Sequence, residues 1–194
     1  MTPYQKHIKR WKNCSACELA SQRSKVILAR GKIPCDVLFI GEAPGVSEDV
    51  LGKPFVGPAG KLLQSIINRM VPEDVRYCLT NLVACYPKEA KETGNHEPPK
   101  ECIDACSKRL RELVRICKPQ AIVLVGNLPR KHVYGEAQFR LDGKAMGVEW
   151  LPTNKRMQFV EIIHPAAILR MDVSQQGLAI KRCSVAIATV CASL

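Results

Sequence analysis

The stretch DVLFIGEAPGVSED, residues 36–49, sets an apolar run, Val37 to Ile40, directly against a loop that carries two glycines, a proline and three acids. A short apolar run bounded by turn residues reads as a strand buried on both faces. A carboxylate immediately beyond such a strand must be held by partners or do chemistry, because an unpaired buried charge costs several kcal/mol. Glu42 is therefore the first residue to account for.

Three further runs have the same character: Tyr77 to Val83, Ala121 to Val125 and Phe159 to Ile163, alongside Asp36 to Ile40. They end at Cys85, Gly126-Asn127 and His164. Between them lie helical patterns, the clearest being KECIDACSKRLRELVRIC, where Ile103, Cys106, Leu110, Leu113, Val114 and Cys117 recur at the spacing of one helix face. Gly60 to Met70 and the C-terminal LAIKRCSVAIATVCASL are two more. Apolar strands alternating with helices predict an α/β chain: a three-layer α/β/α sandwich around a central four-stranded, mainly parallel sheet. Sheets of this kind place their sites at the carboxyl ends of the strands, where Glu42, Asn81 and His164 fall.

The 194 residues are read as one domain, 1–194, large enough to fold without cross-links. With 29 Lys+Arg against 18 Asp+Glu, the balance favours a polyanionic partner such as nucleic acid. Aromatic content of 5% argues against a broad base-stacking platform. The basic start MTPYQKHIKRWKNC lacks an apolar leader and no segment is long enough to span a bilayer, so a cytoplasmic protein without membrane contact is expected. Ten cysteines in a reducing compartment suit metal ligation, redox groups or plain core positions better than a disulfide framework. YPKEAKETGNHEPPK, residues 86–100, reads as a long exposed loop.

GEAPGVSEDVLGKPFVGPAGKLL, then TNLVAC, then HPAAILR, closely resemble the motifs of the family 4 uracil-DNA glycosylases, the iron–sulfur branch of that superfamily. CSACELASQRSKVILARG looks like that family's opening segment, and GNHEPPKECIDAC like its GNR-type loop running into a cysteine-bearing helix. The resemblance runs from about Cys14 to Arg170. It implies a monofunctional hydrolase of base excision repair that flips uracil out of DNA, cleaves its N-glycosidic bond and leaves an abasic site; a monomer is the default expectation for an enzyme that must wrap one flipped nucleotide.

Such chemistry builds positive charge on the sugar and negative charge on the departing base. By the resemblance, Glu42 positions or activates the water and His164, kept neutral, donates a hydrogen bond to the pyrimidine O2. Asn81 reads the O4 and N3–H edge, which a carboxamide matches with one acceptor and one donor. Phe55 stacks on the extruded base. Gly41, Ala43 and Gly45, with Pro44, let the backbone approach the nucleotide. Glu48 and Asp49 either cap the loop or form a solvated pair of acids. Ile168 or Leu169 is expected to wedge into the duplex with Arg170 near a phosphate; Lys53, Lys61, Arg130 and Lys131 are further phosphate candidates.

Cys14-x-x-Cys17 is a ligand pair by spacing and needs two more thiolates for a closed site. Cys85 is one, and alignment of GNHEPPKECIDAC to the family pattern makes Cys106 the other, with Cys102 as the substitute. The resemblance implies a structural 4Fe-4S cluster in an N-terminal cluster-binding segment; the spacing alone also admits zinc. Cys35, Cys78, Cys117, Cys183 and Cys191 read as small buried hydrophobes.

The pattern departs from the family between Cys85 and Gly94, which stand about five residues farther apart than usual, and at His96, which replaces the arginine of the GNR element. The extended loop resembles that of the X-type relatives, whose histidine captures the sugar covalently, but their KRRIH sequence is absent; His96 is expected to be an exposed loop residue near DNA. Gly45 leaves room for a 5-substituted pyrimidine. The alternatives are thus a glycosylase of the same fold excising another modified pyrimidine, in a phage or anti-phage setting, or a catalytically silent or covalently trapping DNA-binding relative.

Overall fold

The computed structural model describes residues 1–88, 97–134 and 157–194. His96 lies outside the described residues, as does most of the long loop. A five-stranded sheet runs through the molecule, with strands β1 (Arg30–Gly31), β2 (Val37–Gly41), β3 (Tyr77–Asn81), β4 (Ala121–Val125) and β5 (Gln158–Ile162) in the order β1-β3-β2-β4-β5. All neighbours are parallel except β1, which pairs antiparallel with β3.

Every residue of β2 and β4 is buried. Their side chains alternate between two cores. Leu38, Ile40, Ile122 and Leu124 face one core, together with Cys78, and Val37, Phe39, Val123 and Val125 face the other, together with Leu79. Of the helices, α1 (Pro3–Trp11), α2 (Leu19–Gln22), α3 (Val46–Leu51), α4 (Pro58–Met70), α5 (Lys100–Cys117), α6 (Asn127–Tyr134), α7 (Pro165–Leu169) and α8 (Val173–Cys191), α5 supplies Ile103, Leu110, Leu113, Val114 and Cys117 to the first core. Helices α4 and α8 close the second with Leu63, Ile66, Ile67, Ile187 and Val190. The α/β/α layering is as the apolar runs predict, with the buried helix face of α5 at the expected positions except Cys106, which is half-buried.

The sheet has five strands rather than the expected four. The extra one, β1, is two residues long and pairs Arg30 with Leu79 and Gly31 with Cys78. An Arg-Gly dipeptide carries no alternation for a sequence reading to detect. Gly31 is required there: its φ is +128°, and a Cβ would stand 2.4 Å from the Tyr77 carbonyl oxygen. Leu82 and Val83 fall outside β3, and their amides turn instead to the carbonyls of Gly41 (2.8 Å) and Glu42 (3.3 Å), tying the ends of β2 and β3 together. Among the described residues no helix is long and apolar enough to cross a membrane.

Candidate active site

The chain runs from β2 outward to β3, then returns past β2 to β4 on its other side. Such a reversal opens a crevice at the carboxyl ends of the strands. Here it holds a cavity of about 660 Å³ lined by Glu42, Ala43, Gly45, Phe55, Asn81, His164 and Arg170. Tyr86, Glu97, Gly126 and Glu161 also line it. Gly41 does not line it but packs behind two residues that do: an added Cβ would stand 2.5 Å from both Asn81 Oδ1 and Phe55 Cζ. The other expected pocket residues therefore share one hollow. Lys53 and Leu169 are exposed outside it.

Burial pushes the Glu42 carboxyl up to about 7, and the charge of Glu97 adds to the shift. His164 is the N-cap of α7, and its Nδ1 accepts the Ala166 N–H at 3.1 Å. Accepting there puts the neutral ring's proton on Nε2. Burial, and after it the charge of Arg170, push the imidazole below its ordinary range, so it stays neutral at pH 7. Gly126, at φ +98°, lies against the ring: a Cβ would meet His164 Cβ at 3.0 Å and Cδ2 at 3.2 Å.

Phe55 is buried and adopts the left-handed φ of +57°. Gly60 makes this possible, since a Cβ on it would stand 2.1 Å from the Phe55 carbonyl carbon. Glu48 and Asp49 are buried caps, not a solvated pair of acids. Glu48 accepts the amides of Gly45 (3.0 Å), Val56 and Gly57 (both 2.8 Å), while Asp49 accepts those of Ser24 and Lys25.

The expectation for Ile168 is corrected. Its side chain is fully buried in the second core, so it cannot double as a wedge; Leu169, the next residue of α7, is 45% exposed. In so short a helix adjacent residues point apart, one into the core and one out. Arg130, a phosphate candidate by sequence, is engaged locally with Asn127 Oδ1 and with Glu161 at 3.5 Å.

Cys14, Cys17, Cys85 and Cys106 line a second, small cavity, together with Trp11, Arg23 and Arg109. Cys102 is buried beside it without lining it. Neighbouring thiols contribute to the behaviour of Cys85, which burial pushes up to about 11. Among the described residues no three His, Cys, Asp or Glu side chains gather tightly enough to hold a metal ion by themselves. Arg109 was not foreseen from sequence. Its guanidinium, 1% exposed, donates to Thr80 Oγ1 (3.0 Å) and to the carbonyls of Asn81 (2.6 Å) and Leu82 (2.7 Å), while its Nε has no partner. None of these oxygens is charged, and a buried cation so placed fits a net-negative group in the cysteine cavity.

The sequence profile of the Uracil DNA glycosylase superfamily matches residues 18–183. The chain is 33% identical over 165 residues to a type-4 uracil-DNA glycosylase of Saccharolobus solfataricus, covering 81% of this chain and 73% of that one. It is 32% identical over 163 residues to the type-4 enzyme of Pyrobaculum aerophilum, covering 82% and 81%. A type-4 uracil-DNA glycosylase of Thermotoga maritima shares 32% over 171 residues, covering 83% and 80%. The crevice, the residues that line it and these matches agree: the chain belongs to the uracil DNA glycosylase superfamily, with the type-4 uracil-DNA glycosylases among its relatives.

Proposed function

We propose that the protein is a uracil-DNA glycosylase that hydrolyses the N-glycosidic bond of an extruded uracil. The observation that carries this reading is the single hollow shared by Glu42, Phe55, Asn81 and His164. In the reaction the base enters the cavity and stacks on Phe55 while the Asn81 carboxamide pairs with its O4 and N3–H. As the glycosidic bond lengthens, negative charge collects on the base, and the Nε2–H of neutral His164 donates to O2. Neutrality matters: the ring stabilises the anion by a hydrogen bond and keeps its proton. The Glu42 carboxylate, ionised above about pH 7, orients water toward C1′ and offsets the cationic character of the sugar. Leu169 fills the gap left in the duplex, and Lys53 and Arg170 hold phosphates.

Cys14, Cys17, Cys85 and Cys106 would hold a 4Fe-4S cluster. A single zinc draws its thiolates to within about 4 Å of one another, whereas an iron–sulfur core suits sulfurs ringed around a cavity. When bound, the cluster supplies no redox step; it fixes the N-terminal segment to the β3 turn and α5, and its negative charge answers that of Arg109.

The test uses oligonucleotides bearing a single uracil, hypoxanthine or 5-modified cytosine, followed by alkaline cleavage of abasic sites. Scission at uracil is expected. Scission only at a 5-modified base would redirect the activity to another pyrimidine, and none on any substrate would remove the enzymatic reading.

A further inference from the structure

Phe55 holds a left-handed backbone conformation that disfavours any residue with a Cβ. Such a conformation persists only where its surroundings over-determine it. The surroundings here act from two sides. Arg30, in the unexpected strand β1, donates from Nε to the Pro54 carbonyl at 3.0 Å and from Nη2 to the Phe55 carbonyl at 3.1 Å. Across the loop, Glu48 Oε1 accepts the next two amides, Val56 and Gly57. One charged side chain thus takes the carbonyls and another the amides of a four-residue stretch, residues 54–57. Both use geometrically fixed, charge-assisted hydrogen bonds.

We propose that Arg30 is a positioning residue for base recognition, which with Glu48 clamps residues 54–57 so that the Phe55 ring is set before a nucleobase arrives. This rests on the reading of Phe55 as the stacking face. Arg30 does not line the cavity and touches no substrate; it acts through Phe55. Its guanidinium fork meets two carbonyls at once, which the point charge of a lysine cannot do with the same fixed geometry. A preset ring removes the ordering cost that a free loop would pay on each extrusion.

The experiment has two parts. In the first, 4-fluorophenylalanine is incorporated and the ¹⁹F spectrum is recorded without DNA, the Phe55 signal being assigned by its loss in Phe55→Ala. Arg30→Gln should move or broaden that signal and leave the signal of Phe39, on the wholly buried strand β2, in place; an unchanged Phe55 signal overturns the proposal. In the second, single-turnover excision of uracil is measured in a double-mutant cycle. Arg30→Gln is expected to slow excision about tenfold, and Arg30→Lys to recover part of that loss. In a Phe55→Ala background, adding Arg30→Gln should cost less than about twofold. Losses that multiply in full would show that Arg30 acts on something other than the ring, and would overturn the proposal. If the wild type excises no uracil, the functional reading fails while the fluorine spectrum still decides the clamp. If Arg30→Gln misfolds, Arg30→Lys serves in both parts, with a smaller displacement of the same signal expected and an unmoved one again overturning.

Discussion

Glu42 sits beyond the end of a wholly buried strand, in a cavity it shares with Glu97, and both facts raise its pKa to about 7. Excision that depends on the carboxylate should therefore rise with pH to a plateau above about 7. Glu97→Gln removes the second cause and should move that limb toward acid, measurable as a pH profile of single-turnover rates. Stability has the opposite slope. The folded state holds a proton on Glu42 between its ordinary 4.5 and about 7 that the unfolded chain has released, so this group's contribution falls as pH rises through that window. Glu42→Gln should consequently abolish excision yet melt a few degrees above the wild type at pH 8, the gap closing by pH 5. Gly60→Ala is a steric counterpart: a Cβ inside the Phe55 backbone forces residues 54–57 to move. We expect a loss of about 1–3 kcal/mol in chemical denaturation together with loss of activity.

Helix α7 shows how one short element divides its tasks. His164 caps it and is oriented by that cap, Ile168 anchors it in the core, and Leu169 projects from it. Ile168→Ala should destabilise the fold by about 2–4 kcal/mol, as core truncations do. Leu169→Ala should leave the melting curve unchanged and slow excision from duplex more than from single-stranded DNA, because only the duplex has a stack to fill. The sequence could not separate the two: neighbouring apolar residues are alike until a helix assigns them faces. The same limit applies to β1. Its pairing is legible only from the partner strand, and with it Arg30, whose carbonyl partners lie 24 and 25 residues away. By contrast β2 and β4 were legible as unbroken apolar runs, and α5 from the spacing of its apolar face, because there the local pattern alone states what is buried.

At the scale of the molecule, the strand order decides the site. Glu42, Asn81 and His164 are far apart in the chain; Glu42 and His164 were readable as polar residues closing apolar runs and Asn81 as a polar residue near the end of one, and what unites them is the reversal at β2. The net charge of +11 should appear as steep salt dependence of DNA affinity. Arg170→Ala and Lys53→Ala should each lower the slope of log K against log salt by about one, the signature of a lost phosphate contact. Cys14→Ala, Cys17→Ala, Cys85→Ala or Cys106→Ala should bleach absorbance near 400 nm and reduce bound iron, whereas Cys102→Ala should keep both.

Arg109 links the two ends of this design. The same guanidinium borders the thiol-lined chamber and grips the main chain at Asn81, the residue assigned to reading uracil's edge. An oxidant that strips sulfur ligation would slacken that grip first, so the injured protein should lose its discrimination between uracil and cytosine while still largely folded.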